Sequence, residues 1–320
     1  MIPDLDSGRV LIRLTCTDGQ VSAVQVHSER PEVSQLLRGR ATGQAVRMVS
    51  LMFALCGQAQ MRAAVLAMSA ARGEECTPMI DQDVQREALR EHLWRCLLDL
   101  PPLLGKVALQ QDFVLGAKAI AEGHRDELLA LLTRPSIQSL RIRLRELDDA
   151  HASPFRSLPT LDARSSLAAW PRLSAEFCRR PQWRGAAAET GALARQQANL
   201  TLPFMPAHWQ ARFDELAEWA SGRDTVGGVG TVSAVPVALG IGRALAETAR
   251  GLLMHEVVLD GDVVTDYLIV APTEWNFHPQ GVLHDRLLGA DARDQAALRQ
   301  QIVRLVTTLD PCVPWELAWA

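Results

Sequence analysis

Lysine is nearly missing from this 320-residue chain: Lys106 and Lys118 are the only two. Arginine carries almost all the positive charge, which we read as genome composition and not as a phosphate-binding device. The formal net charge is −4, so no global field draws in nucleic acid or an acidic membrane surface. Cysteine is also sparse. Six residues (Cys16, Cys56, Cys76, Cys96, Cys178, Cys312) are too few for a disulfide framework in a chain of this length. No Cys-x-x-Cys occurs, so no ready-made zinc or thioredoxin-type motif is present. No uninterrupted apolar run reaches about 18 residues, and no membrane span is expected. The opening Met1-Ile2-Pro3-Asp4-Leu5-Asp6 is acidic with no apolar core behind it, and does not read as a signal peptide. The Gly-rich stretch 223–243 lacks the Lys-Ser/Thr or strand–GxGxxG–helix context of a phosphate cradle, and is expected to be extended, close-packed backbone. A reduced, cytoplasmic protein follows as the expectation.

What is present is apolar material for a core, 48% of residues. Residues 9–16 and 21–27 alternate like strands around the Asp18-Gly19 turn signal. Pro31 opens a short helix through Leu37. Residues 43–71, rich in Ala and Met, predict one long helix that is apolar around most of its circumference and therefore buried. Cys56-Gly57 sits in its middle, where glycine costs about 1 kcal/mol against alanine, so Gly57 is expected to mark a close approach or a break beside Cys56. Residues 82–99 predict an amphipathic helix, with Glu87, Arg90 and Glu91 polar, ended by Pro101-Pro102. Further helices are expected at 109–132, 136–148, 163–181, 185–198, 207–221 and 293–309, with a hairpin at 252–270 turned by Asp260-Gly261-Asp262. Cys16, Cys76, Cys96, Cys178, His92 and His124 show no ligand-like spacing and read as structural. The fold class is α+β, mostly helical, with a long buried central helix and β-hairpins near both ends. One interwoven domain over 1–320 is expected, with the chain's two ends meeting.

Five short motifs then fall in one order: Leu37-Arg38-Gly39-Arg40, Leu55-Cys56-Gly57, Glu247-Thr248-Ala249-Arg250-Gly251, Pro272-Thr273-Glu274-Trp275-Asn276 and Asp310-Pro311-Cys312. In that order the chain resembles the large subunit of nickel–iron hydrogenases over nearly its whole length. More closely, it resembles the HupK/HoxV branch of hydrogenase assembly proteins. The hydrogenase pattern has two Cys-x-x-Cys pairs, each giving one terminal nickel thiolate and one thiolate bridging nickel to iron. Here the first cysteine of each pair is kept, as Cys56 and Cys312, and the second positions hold Ala59 and Trp315. The first motif's arginine is Ala54, its distal histidine falls on Ala63, and the terminal histidine position holds Ala318. With at most two of four thiolates and no bridging one, no nickel is expected, and no hydrogenase catalysis.

The resemblance implies that Cys56 and Cys312 face each other. Two soft thiolates suit a low-spin iron(II) fragment, Fe(CN)2(CO). It further implies that Arg250 contacts one cyanide nitrogen and Thr273 the other. Because the kept cysteines match terminal nickel positions, the fragment would sit shifted from its hydrogenase place, or be held only transiently. His255, His278 and His284 are candidate additional ligands. Taken alone, Cys56 could equally be a packed thiol, and Arg250 could pair with Glu247 three residues away. The expected function is a non-enzymatic scaffold. It would receive the fragment from maturation proteins of the HypC/HypD type and pass it to an immature large subunit, with no nucleic-acid or membrane partner. The alternative is a cofactor-free interaction protein that organises maturation partners by mimicking the large subunit.

Overall fold

The computed structural model describes residues 8–29, 33–53, 55–146, 170, 172–196 and 202–320. In chain order the elements begin with strands β1 (Arg9–Thr17) and β2 (Gln20–Glu29), a 3-10 turn (Val33–Leu37), and helices α1 (Thr42–Met52) and α2 (Gly57–Ala71). Strand β3 (Cys76–Ile80) precedes α3 (Gln82–Trp94), α4 (Leu100–Leu103), α5 (Gln110–Glu122), α6 (Arg125–Leu132) and α7 (Pro135–Arg145). Two short turns, α8 (Ala175–Arg179) and α9 (Ala192–Arg195), lead to α10 (Phe204–Ala220). Strands β4 (Thr231–Ala238), β5 (Ile241–Thr248), β6 (Gly251–Asp260) and β7 (Val263–Val270) follow. Helices α11 (Pro272–Asn276), α12 (Val282–Leu287) and α13 (Gln295–Leu309) then lead to β8 (Trp315–Trp319).

Two sheets organise these elements. The first has the order β2-β1-β8 and brings the two ends of the described chain together, with β8 parallel to β1 and Val10 opposite Trp315. Val10, Ile12 and Leu14 alternate inward along β1, as a period of two requires. They share one apolar core with Ile302 and Val306 of α13 and Trp209 and Phe213 of α10. The indole N–H of Trp209 donates to Thr308 Oγ1 at 3.0 Å, tying α10 to α13. Asp294 caps α13 by accepting from the backbone N–H groups of Ala296 and Ala297.

The second sheet is antiparallel throughout, in the order β3-β4-β5-β6-β7. Helix α2 lies on it. Its buried alanines (Ala63, Ala64, Ala67, Ala70, Ala71) pack with Ala244, Ala246, Leu253 and Val257 in a second core. Small residues on both sides let the backbones approach. A Cβ at Gly242 would lie 2.0 Å from the carbonyl oxygen of Ala67, so only glycine fits there.

The expected single helix over 43–71 is two helices. The chain leaves helical geometry at Phe53 (φ −122°) and Cys56 (φ −136°) and restarts at Gly57. The segment is not uniformly buried either, since Leu51 is 84% exposed. Pro101-Pro102 does not end the helix before it: a π-turn over Arg95–Asp99 absorbs the change, and the prolines occupy the first turn of α4, where their missing N–H groups cost nothing. Gly123, with a left-handed φ of 77°, splits the expected 109–132 helix. Cys76, expected in a loop, begins β3. Of the helix expected at 163–181 only Ala175–Arg179 is helical, with 163–169 and 171 outside the described residues. Of 185–198 only Ala192–Arg195 is, with 197–198 outside them. No helix among the described residues is long and apolar enough to cross a membrane.

Candidate functional site

The end of α13 positions Cys312. Asp310 closes the helix in the left-handed region (φ 56°), which an aspartate tolerates better than most residues, and Pro311 prevents continuation. Cys312 then meets Thr273, the buried second residue of α11. The Cys312 backbone N–H donates to Thr273 Oγ1 at 3.3 Å, and the Cys312 sulfur lies 3.2 Å from the same oxygen. The hydroxyl carries a single hydrogen, which can turn to the sulfur or to another acceptor brought beside it.

Arg250 sits in the two-residue turn between β5 and β6, where Thr248 faces Gly251. Gly251 has φ 126°, and a Cβ there would lie 2.3 Å from Thr190, so the turn demands glycine. Asn276 of α11 holds this turn: its Nδ2 donates to the Arg250 carbonyl at 3.1 Å, and its Oδ1 accepts from Thr190 N–H. Asn276 thereby bridges two loops. The Arg250 side chain does not pair with Glu247. Its Nη2 donates to Glu91 at 3.0 Å, and its Nε lies 3.3 Å from Asp310 Oδ1, outside hydrogen-bond alignment. Glu247 instead pairs with Arg195 at 2.8 Å. Arg95 reaches Asp310 at 2.7 Å. Burial alone would raise the Asp310 carboxyl, but Arg250, Arg95 and Arg212 outweigh it and hold the group below its usual range. Burial likewise opposes the charge of Arg250, yet Asp310, Cys312, Glu91 and Cys56 raise its pKa, so its cation is permanent.

Cys56 stands at the N-terminus of α2, half-buried as a residue. Its thiol is pushed up to about 12, chiefly by burial and further by the charge of Cys312, while Arg250 opposes the rise. The fold therefore places Cys56, Cys312 and Arg250 within electrostatic reach of one another, with Thr273 against Cys312. A helix N-terminus normally stabilises a thiolate. Here Glu87 takes that role away, accepting the backbone N–H groups of Gln58 and Ala59 at 2.8 and 3.1 Å. Burial raises the Glu87 carboxyl and these two N–H bonds lower it, with a net rise. The one side-chain donor on Cys56 is Gln60, whose Nε2 lies 3.7 Å from the sulfur.

The sequence reading missed Glu87 and Glu91. It assigned both, with Arg90, to the polar face of an amphipathic helix. The face carrying the two carboxylates points inward, and only Arg90 is exposed. Local spacing could not have separated them, because Glu87, Arg90 and Glu91 stand three and four residues apart on neighbouring positions of the helix surface. The candidate histidines are not gathered at the thiols. Both ring nitrogens of His255 are engaged, by Tyr267 and Gln60. His278 Nδ1 accepts from the Gln280 N–H, and His284 Nδ1 lies beside Asp285. Among the described residues no group of three or more His, Cys, Asp and Glu side chains could hold a metal ion. Two thiols alone make only a weak seat for a bare ion, with water completing its coordination. They suffice for a fragment that carries its own ligands, and the Arg250 Nε buried without a hydrogen bond suits an acceptor brought by such a fragment.

The fold defines a class. The family model described as nickel-dependent hydrogenase matches residues 210–315. The chain superposes on the Ni-Fe-Se hydrogenase of D. vulgaris Hildenborough in the reduced state with a TM-score of 0.56 at 16% identity, covering 93% of this chain and 94% of that one. A reduced, active Ni-Fe-Se hydrogenase from Desulfomicrobium baculatum gives 0.56 at 14% identity, covering 93% and 95%. This is the hydrogenase large-subunit fold. Within it, the chain is 32% identical to the hydrogenase expression/formation protein HoxV of Cupriavidus necator, over 96% of this chain and 95% of that protein. It is 30% identical to HupK of Azotobacter vinelandii, also a hydrogenase expression/formation protein, over 97% and 98%. The chain belongs to the HoxV/HupK family of hydrogenase expression/formation proteins.

Proposed function

We propose that this protein is a scaffold in nickel–iron hydrogenase maturation. It holds an Fe(CN)2(CO) fragment between Cys56 and Cys312 as cargo and passes it to an immature large subunit. The reading is supported by Cys56, Cys312 and Arg250 lying within electrostatic reach of one another, with a guanidinium whose hydrogen bonds are not all used. Among the described residues Arg250 makes one side-chain hydrogen bond, to Glu91.

The charge balance favours this cargo. Iron(II) with two cyanides is neutral, and two thiolates bring the assembly to about −2. A buried charge is costly unless paired, and the permanent cation of Arg250 offsets part of it. Cyanide nitrogens accept hydrogen bonds, and an unmade bond there costs about 1–3 kcal/mol. Arg250 donates to one nitrogen and Thr273 to the other. No bridging thiolate accompanies the pair, because Ala59 and Trp315 stand at those positions, so nickel is not part of the cargo.

Reversibility follows from the thiols. A Cys56 thiol pushed up to about 12 is protonated at neutral pH in the free protein. Loading expels protons, and their return on release helps the fragment leave. A carrier needs such exchange, and two thiolates allow it more easily than four. Donor and recipient are maturation proteins of the HypC/HypD type and the immature large subunit; the role is transfer and not catalysis. The test is a strain carrying Cys56→Ala or Cys312→Ala, assayed for active hydrogenase. Either substitution abolishes maturation on this reading. Wild-type activity in both strains refutes it and favours a partner-organising role indifferent to cysteine.

A further inference from the structure

Behind Cys56 runs a buried line of hydrogen bonds that neither the family motifs nor the two-thiol seat requires. Tyr267 OH lies 2.7 Å from His255 Nδ1, His255 Nε2 lies 2.9 Å from Gln60 Oε1, and Gln60 Nε2 lies 3.7 Å from Cys56 Sγ. The line joins β7, β6 and α2. Tyr267 and His255 are fully buried and Gln60 is 1% exposed. Tyr267 is the only tyrosine in the chain.

The chemistry of the groups fixes its direction. Tyr267 OH has no other hydrogen-bond partner among the described residues. If the line ran from cysteine towards tyrosine, His255 Nδ1–H would donate to the phenol oxygen. The phenol hydrogen would then be buried without an acceptor, a penalty of about 1–3 kcal/mol. In the opposite sense every donor is used. Tyr267 O–H donates to Nδ1, Nε2–H of His255 donates to the Gln60 carbonyl, and the Gln60 amide donates to sulfur. A neutral ring is required throughout, and burial lowers the His255 pKa to about 3.

We infer that Tyr267, His255 and Gln60 form a directed positioning chain that supplies Cys56 Sγ with its hydrogen-bond donor and fixes the sulfur for cargo. Each donor in such a row polarises the next. The arrangement answers a need peculiar to Cys56, because Glu87 has taken the helix N–H groups that would otherwise serve a thiolate. At Cys312 the neighbouring polar group is instead the Thr273 hydroxyl, 3.2 Å from the sulfur.

The inference rests on the reading of Cys56 as a cargo thiol, and two measurements separate the two. Histidine-selective 15N spectra, with His255 assigned by its loss in His255→Gln, report the tautomer. The expected ring is protonated at Nε2 with a hydrogen-bonded Nδ1, and Tyr267→Phe shifts the Nδ1 resonance alone. An Nδ1-protonated ring overturns the chain whatever the thiols bind. The second measurement uses Co(II) as probe on the reduced full-length protein. Gln60→Leu is expected to raise its dissociation constant about tenfold, the lower end for losing a second-shell partner. It should also move the sulfur-to-cobalt charge-transfer band to lower energy. Tyr267→Phe, which deletes one distant oxygen, is expected to shift the band in the same direction by less. Unchanged band and affinity in both variants overturn the inference. A wild-type protein with no sulfur-to-cobalt band overturns the two-thiol seat instead, and the tautomer then decides the chain.

Discussion

Two buried arginines, Arg195 and Arg250, occupy opposite kinds of site. Arg195 directs Nε and Nη2 to Glu215 at 2.6 and 3.0 Å and Nη1 to Glu247 at 2.8 Å. His92 closes the set with 2.6 Å to Glu215. Burial would raise Glu215, but Arg195 and His92 bring it down to about 2. Every charge there has a partner, and each side-chain nitrogen of Arg195 makes a hydrogen bond. Arg250 is as deeply placed but keeps donor capacity at Nε, within electrostatic reach of Cys56 and Cys312. A saturated network serves the fold. An unsaturated one, its charge balanced by Glu91 and Asp310, keeps a donor for a guest.

The comparison can be broken by substitution. The largest effect is expected for Arg195→Met, which leaves Glu215 and Glu247 buried without their cation. Loss of one partner from a buried pair costs about 3–5 kcal/mol, so urea denaturation should show a large fall in midpoint. Arg250→Met should cost less, about 1–3 kcal/mol, because Asp310 keeps Arg95 and Glu91 keeps Arg90 at 3.8 Å. Maturation should nevertheless be lost while the protein remains folded at growth temperature. Equal destabilisation by both substitutions would erase the distinction between the two arginines. Thr273→Val keeps the shape and removes the hydroxyl, for about 0.5–1.5 kcal/mol and a partial maturation defect.

A separate effect concerns acid. His255 has its folded pKa lowered by burial to about 3, against an ordinary 6.5. The unfolded chain therefore binds the proton first as pH falls. The contribution of the neutral ring is present above about pH 6.5 and is lost progressively towards pH 3. His255→Gln should show a shallower loss of stability across that window, with the remaining slope owed to other buried groups such as His92, whose pKa burial also lowers. An identical slope in both proteins would mean His255 is already charged in the folded state.

Much of this was legible in the sequence, for identifiable reasons. The N-terminal strands announced themselves through the alternation of Val10, Ile12 and Leu14 and the Asp18-Gly19 turn, because half-burial imposes a period of two. The site motifs were legible as an ordered set of residue types. The break beside Cys56 was signalled by the glycine that follows it, although apolar periodicity, which does not see the backbone, ran on through it as one helix. The partners of Arg250 could not be read, since Glu91 and Asp310 are distant in sequence and meet it only through packing. Helix α3 misled for the same reason. A polar face reads as solvated unless a buried cation elsewhere claims it. Gln60, His255 and Tyr267 come from three elements, and no local spacing joins them.

The central claim is that Cys56 and Cys312 together hold a cyanide- and carbonyl-bearing iron. Infrared spectroscopy on protein purified without oxygen, from cells making the maturation proteins, addresses it directly, because few biological groups absorb where metal-bound CN and CO stretch. The account requires those bands in the wild-type protein and their disappearance in both Cys56→Ser and Cys312→Ser. Bands that persist unchanged in either variant would contradict it.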